Sequence, residues 1–316
     1  MTLAAPSPSD FEAVSCYLCG STQSTPFLIA QEDLTGKPGN FPFVTCTDCG
    51  LAYQSPRLKL ERIKDYYDDE YIAHRKKTDW GPLTPLYRWA MNRHDTAKIE
   101  IVRRYCALTH STNTLDIGCG AGSFLLELQR IHGASVTGVD FKDLSSLPGF
   151  DRLDFHCGLF YEQPLAAQQF DLITMWHFLE HDYDPIRSLS HARGLLREGG
   201  HLIVEVPRLD SLTFRLYRSR WPGLQAPQHT ALYSRTSLEA MLRKTGYEII
   251  EYLPYGAFPA YFYLFAGLAF TFLKGRGLNL DRAILPYFIG QAILSPVLLF
   301  EKQLNISMQT VIARPQ

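Results

Sequence analysis

Three groups of residues in this chain have the types and spacing to do chemistry. Cys16-Tyr17-Leu18-Cys19-Gly20 and Cys46-Thr47-Asp48-Cys49-Gly50 are two C-x-x-C-G knuckles with 26 residues between Cys19 and Cys46. Each knuckle offers two thiolates on a tight turn, and two knuckles close a tetrahedral four-sulfur Zn²⁺ site with no open position. Such a zinc is structural; a redox or disulfide pair is the alternative. The second group is Leu115-Asp116-Ile117-Gly118-Cys119-Gly120-Ala121-Gly122, an apolar run broken by three alternating glycines. It reads as strand, tight turn, helix, a place where a cofactor lies close to the main chain. About twenty residues on, Ser135 to Asp140 reads as a second strand ending in a carboxylate that can hold a ribose diol. The third group is histidine. His229 lies in the polar-aromatic loop Trp221 to Tyr233, with His177 and His181 after an apolar strand. An imidazole whose ordinary pKa is about 6.5 can take a proton from a phenol, an enol or a carbon acid. Bracing of its loop is the alternative for His229.

These groups need elements to position them. Leu86 to Tyr105 alternates apolar and charged residues at helical spacing and would cover the glycine turn. Phe170 to His177 is a strand, Pro185 to Arg197 a helix ending at Glu198-Gly199-Gly200, and His201 to Pro207 a further strand. A helix is expected from Ser237, and strands over Tyr247 to Tyr255 and Ile306 to Ala313. Short strands at Phe41 to Val44 and Leu51 to Pro56 flank the second knuckle in the layout of a zinc ribbon, followed by a tyrosine-rich helix from Leu60 to Tyr67 and then Glu70-Tyr71.

A chain of 316 residues, 46% apolar, can bury one substantial core with small attachments. Its net charge of −1 gives no field that would attract a polyanion, so no nucleic-acid partner is expected. Met1 to Glu12 has neither a basic flank nor an apolar core, which predicts a cytoplasmic protein with reduced thiols. Of the seven cysteines, Cys106, Cys119 and Cys157 are scattered in apolar contexts typical of buried thiols.

Together the glycine turn, Asp140, the segment Phe170 to Pro185 and the Gly199-Gly200 turn with its strand resemble the class I S-adenosylmethionine (SAM) dependent methyltransferases, over about Ala97 to Tyr252 and again at the last strand. The four-cysteine ribbon before such a domain resembles the zinc-containing branch that includes sugar C-methyltransferases. The resemblance implies an α/β fold, a doubly wound seven-stranded Rossmann-like sheet with a reversed last strand, the final two strands forming the reversed pair. It implies a zinc-ribbon domain over 1–58, a helical connector or cofactor lid over 59–110 and a methyltransferase domain over 111–316. Asp116 and the glycines would hold the methionine end of SAM and Asp140 the ribose. The implied cofactor pocket is Asp116, Gly118, Cys119, Gly120, Gly122, Asp140, Phe141, Leu159, Trp176 and His177, with backbone groups recognising adenine. The implied catalytic set is His229, His181 and Tyr233. A NAD-dependent oxidoreductase, a non-catalytic SAM-binding or assembly protein and an RNA methyltransferase stay open, although the G-x-G-x-G spacing departs from the dinucleotide pattern and the neutral charge disfavours RNA.

Between the last two strands the sequence changes character. Ala257 to Leu273 and Ala283 to Phe300 carry no charge up to their ends and flank the polar turn Lys274 to Arg282, an apolar α-hairpin insert over 256–305. Pro286 and Pro296 interrupt its second arm, and both arms are at the lower edge of a membrane span. The expectation is shallow contact with a membrane surface, or a lid over a small hydrophobic or lipid-linked acceptor; a homodimer interface is the alternative.

Overall fold

The computed structural model describes residues 3–67, 81 and 84–316. Two two-residue strands, Phe11–Glu12 and Arg57–Leu58, pair with each other and bracket three more, β1 (Ser24–Ala30), β2 (Phe41–Cys46) and β3 (Ala52–Gln54). The expected helix after them is one α-turn, Leu60–Ile63, and a 3₁₀ turn, Lys64–Tyr66; Glu70 and Tyr71 fall outside the described residues. Helix α1 (Thr84–Val102) follows, placed slightly earlier than its periodicity suggested.

Then the alternation of apolar runs and amphipathic stretches builds one sheet. Its parts in chain order are β4 (Asn113–Ile117), α2 (Ser123–His132), β5 (Ser135–Asp140), β6 (Asp154–Cys157), β7 (Phe170–Trp176), α3 (Pro185–Leu195) and β8 (Leu196–Pro207). β7 is buried at six of its seven positions, the near-continuous apolar reading of a parallel strand covered on both faces. β8 begins earlier than expected, with a register shift against β7 between Leu196 and His201 that spans the Gly199-Gly200 turn. After β9 (Ala231–Leu232) come α4 (Arg235–Lys244), β10 (Tyr247–Leu253), α5 (Ala260–Leu273), α6 (Leu280–Leu298) and β11 (Met308–Pro315).

The seven strands lie in the order β10-β11-β8-β7-β4-β5-β6. β11 is antiparallel to both β8 and β10. The reversed last strand is therefore there, but the expected reversed pair is not: β10 runs the same way as the other five. Two large clusters fill the faces of the sheet, one around Leu115, Ile173, Leu238 and Tyr247, the other around Val102, Phe124, Leu125 and Ile203.

β1, β2 and β3, of which β2 ends at Cys46, join β9 in a second, four-stranded antiparallel sheet, β9-β3-β2-β1. Its edge strand β9 comes from the loop that carries His229, through Ala231 opposite Tyr53 and Leu232 opposite Ala52. Cys16, Leu18, Leu51 and Tyr53 also join the core cluster under the large sheet. The hairpin is tied at both ends. At its root the backbone N–H groups of Ala257 and Phe258 donate to the Glu205 carboxylate of β8 (2.7 and 3.0 Å). At its tip the N–H of Leu278 donates to the carbonyl of Leu34 in the loop between β1 and β2 (2.8 Å). No helix among the described residues is long and apolar enough to cross a membrane.

Candidate functional site

The four cysteines come together as their spacing requires. Sγ of Cys16 lies 3.4 Å from that of Cys49, and Sγ of Cys19 lies 3.5 Å from that of Cys46. These separations are far beyond a disulfide and near the roughly 3.8 Å edge of a tetrahedron built on Zn–S bonds of about 2.3 Å. The two knuckles match: the N–H of Gly20 donates to the Cys16 carbonyl (2.8 Å) and that of Gly50 to the Cys46 carbonyl (3.0 Å). All four ligand atoms fall within 4.8 Å of one another, so the donor set fits a closed tetrahedral zinc.

The glycine turn between β4 and α2 takes a shape that side chains oppose. Gly118 has φ +75°, and a Cβ there would come within 3.0 Å of the Phe178 ring; Gly122 has φ +71°, and a Cβ would meet Leu153 at 2.9 Å. Beneath the turn the buried Asp116 accepts a hydrogen bond from Thr174 Oγ1 (2.6 Å). Burial pushes its pKa up to about 7 against the opposing pull of Lys98 and Thr174. Asp140 at the end of β5 accepts from the N–H groups of Gly120 and Lys142 (both 3.0 Å), which binds the carboxylate to the turn. Tyr67 covers this end, its ring 4.8 Å from that of Phe141.

A cavity of about 420 Å³ runs from Gly118, Cys119 and Gly120 past Trp176 and His177 to His181 and His229, and continues beneath the hairpin against Phe258, Phe262, Phe265 and Tyr287. Of the expected residues, these five and the two histidines share one wall. Gly122, Asp116, Asp140, Phe141 and Leu159 are not among the residues that line it. Tyr233 is not brought to the cavity: its ring is fully buried in the core beside Cys16 and Leu18, where burial pushes its pKa far up. α1 adds His94, Asp95 and Lys98 to the wall, with Nζ of Lys98 5.5 Å from the Trp176 ring centre.

The histidines sit in a chain of carboxylates. His177, at φ +57°, pairs through Nδ1 with Glu180 Oε1 (3.3 Å) and through Nε2 with Glu205 Oε1 (3.2 Å). Burial would lower its pKa, yet the two carboxylates raise it to about 9. Glu205, also fully buried, is held down to about 2 by His177 and the N–H groups of Ala257 and Phe258, which together outweigh its burial. Nδ1 of His229 lies 2.8 Å from the Gly223 carbonyl and must donate to it, which directs an Nε2 lone pair toward Glu180 Oε1 at 4.0 Å. Burial lowers the pKa of His229, so this imidazole is neutral near pH 7. His181 packs edge-on against it at 4.4 Å between ring centres, with Nδ1 within reach of the Gln228 carbonyl (3.1 Å) and the Tyr67 hydroxyl (2.8 Å).

The loop that presents His229 is gripped by the ribbon. The buried Gln54 side chain donates to the carbonyls of Pro227 (2.8 Å) and His229 (2.6 Å). Glu180, Glu205, Lys98, Tyr67 and Gln54 were not singled out from sequence. Only Glu205 left a signal, a lone carboxylate inside the apolar run Leu202 to Val206, where an unpaired charge is too costly to bury.

Residues 89–252, more than half of the chain, match the family model described as a methyltransferase domain. A ubiquinone biosynthesis O-methyltransferase of Nitrosococcus oceani is 29% identical over 198 residues, covering 57% of this chain and 79% of that relative. One of the same name from Coxiella burnetii is 35% identical over 97 residues, and there the chain spans only 41% of the relative's length. Among solved structures, phosphoethanolamine N-methyltransferase 2 of Haemonchus contortus aligns with a TM-score of 0.51 at 17% identity, covering 84% of this chain and 63% of that one. That likeness is one of fold.

Proposed function

The chain belongs to the methyltransferase-domain family and is a SAM-dependent methyltransferase, and from that premise we propose that it methylates an oxygen of a hydrophobic, lipid-like aromatic acceptor held beneath the hairpin. The observation that carries this reading is the single cavity that joins the glycine turn to the aromatic underside of α5 and α6, with His181 and His229 at its middle. The names of the matching relatives, which specify O-methylation in ubiquinone biosynthesis, support the same acceptor class.

SAM supplies an electrophilic methyl group on a sulfonium. Asp116 and the turn Gly118 to Gly122 hold its methionine end, Asp140 its ribose, and the backbone near Leu159 its adenine. Phe141 and Tyr67 close over the nucleoside, while Trp176 and His177 separate it from the acceptor. The hairpin aromatics bind the acceptor's apolar body and exclude water, so that catalysis is chiefly positioning and desolvation. The acceptor hydroxyl meets the histidine cluster, where the neutral Nε2 of His229 takes the proton and the Glu180 carboxylate stabilises the imidazolium that forms. Zinc on Cys16, Cys19, Cys46 and Cys49 fixes the ribbon that grips the His229 loop.

Incubation of the purified protein with methyl-labelled SAM and either lipid or aqueous extracts tests this. Label is expected in the lipid extract, in an alkali-stable methyl ether. Label confined to water-soluble products would overturn the acceptor class and leave the methyltransferase reading intact.

A further inference from the structure

We propose that Glu180, His181 and His229 form a second metal site, for a divalent cation of the Mn²⁺, Co²⁺ or Zn²⁺ kind, at the centre of the cavity. One carboxylate oxygen and one nitrogen of each imidazole lie within 4.8 Å of one another, the only such group besides the four cysteines among the described residues. Glu180 is 1% exposed, and neither of its carboxylate oxygens receives a hydrogen bond from a described residue. His177 meets Oε1 at ion-pair distance, which leaves one buried anionic oxygen uncompensated. The nearest imidazole makes this worse unless a cation is present. Because His229 gives its Nδ1 proton to Gly223, its Nε2 faces Glu180 Oε1 at 4.0 Å as lone pair against lone pair. An ion with ligand distances of about 2.0–2.2 Å spans such a gap. The supporting contacts are of the kind that hold metal ligands: Nδ1 of His229 is placed against the Gly223 carbonyl, and Nδ1 of His181 lies between the Gln228 carbonyl and the Tyr67 hydroxyl, contacts that fix each ring and leave Nε2 as the remaining nitrogen.

Two imidazoles and one carboxylate select a borderline divalent ion over Ca²⁺ or Mg²⁺ and leave coordination positions open. His181 and His229 line the cavity, so those positions face the acceptor's space. The inference rests on the proposed placement of the acceptor for its purpose, though not for its binding chemistry: a hydroxyl oxygen that ligated the cation would give its proton to water more readily, in place of the transfer to His229 that serves the metal-free protein.

The full-length, zinc-replete protein titrated with Mn²⁺, bound ion being read by electron paramagnetic resonance, gives the test. One Mn²⁺ per chain is expected. Glu180→Gln and His229→Gln should each weaken binding tenfold or more, with SAM affinity and unfolding temperature measured on the same samples to show that the fold persists. Added Co²⁺ should develop d–d absorption without the thiolate charge-transfer band that the four-cysteine site would give. Absence of saturable Mn²⁺ binding by the wild-type protein, or equal binding by folded Glu180→Gln and His229→Gln variants, overturns the site. Methyl transfer to a phenolic lipid by a protein that shows no saturable Mn²⁺ binding sinks the metal and spares the proposed function; Mn²⁺ binding with no transfer to any phenolic lipid does the reverse.

Discussion

Two carboxylates at the strand ends test the site residue by residue. Asp140 is buried and aligned by two backbone N–H groups, so it is already positioned to accept a diol. Asp140→Ala should cost about 1.5–3 kcal/mol of SAM binding, roughly tenfold or more in affinity. Calorimetry that finds SAM affinity unchanged would remove Asp140 from the cofactor site. The His177 clamp makes a prediction about pH. Its folded pKa of about 9 lies above the ordinary value of 6.5, so its contribution to stability is complete below about pH 6.5 and is lost as pH rises through 9. Glu205, at about 2 against an ordinary 4.5, contributes fully above about pH 4.5 and loses its share as pH falls toward 2. The buried neutral His94 and His229, both lowered, begin to cost stability once pH falls below about 6.5, since the unfolded chain then binds the protons they refuse. The summed contribution of these four groups is therefore greatest near pH 6.5, while the raised carboxyl of Asp116 costs stability as pH climbs from about 4 to 7. Asn tolerates the positive φ at position 177, and His177→Asn should remove the alkaline decline between about pH 6.5 and 9 in thermal melts. An unchanged alkaline limb would show that the clamp is not ionised as described.

Elements explain what was readable in advance and what was not. The glycine turn, β5 with its terminal acid, β7 and the hairpin arms were legible because each is set by local pattern: period-two or continuous apolar runs, glycines at fixed spacing, uncharged helical lengths. Strand β9 was not. Ala231 and Leu232 carry no signal of their own and become a strand only because the ribbon edge lies beside them. For the same reason Gln54 looked like any polar residue at a strand end. Its donors are spent on two buried carbonyls of the His229 loop, and Gln54→Leu leaves those acceptors unpaired at about 1–3 kcal/mol each. The variant should melt earlier and lose turnover while keeping SAM affinity; a variant with normal turnover would disconnect the ribbon from catalysis. Cys46→Ser should act more broadly. Structural zinc supplies much of the folding free energy of so small a module, and β9 hands its loss on to the histidine loop. Metal analysis finding less than one zinc per chain in freshly purified wild-type protein would refute that role.

Across the whole molecule the hairpin has two faces with different fates. Its inner aromatics, Phe262, Phe265 and Tyr287, wall the cavity, and its root and tip are pinned by Glu205 and by the loop at Leu34. The outer face is apolar and bare: Phe272, Ile293 and Leu299 are 77%, 71% and 79% exposed, and Leu268, Ile289 and Phe300 lie alongside with more than half their surface in water. Lys274, Arg276 and Arg282 are exposed at the turn between the helices. Exposed apolar side chains on both helices, with cations at the turn between them, suit an anionic bilayer surface, into which they can sink without spanning. A lipid-like acceptor would then pass from the bilayer to the cavity along one hairpin, and its apolar body would stay out of water throughout. Each side chain buried in the acyl boundary contributes roughly 1.5–3 kcal/mol, so Phe272, Ile293 and Phe300 together suffice to hold the protein at the surface. Full-length protein should float with anionic liposomes at low salt, and the triple variant Phe272→Ser, Ile293→Ser, Phe300→Ser should stay at the bottom of the gradient with its zinc, its melting temperature and its SAM affinity unaltered, because none of the three faces the cavity. If the wild-type protein also remains below while migrating as a dimer that the triple variant breaks, the bare face is a subunit interface, and the acceptor must reach the cavity through water.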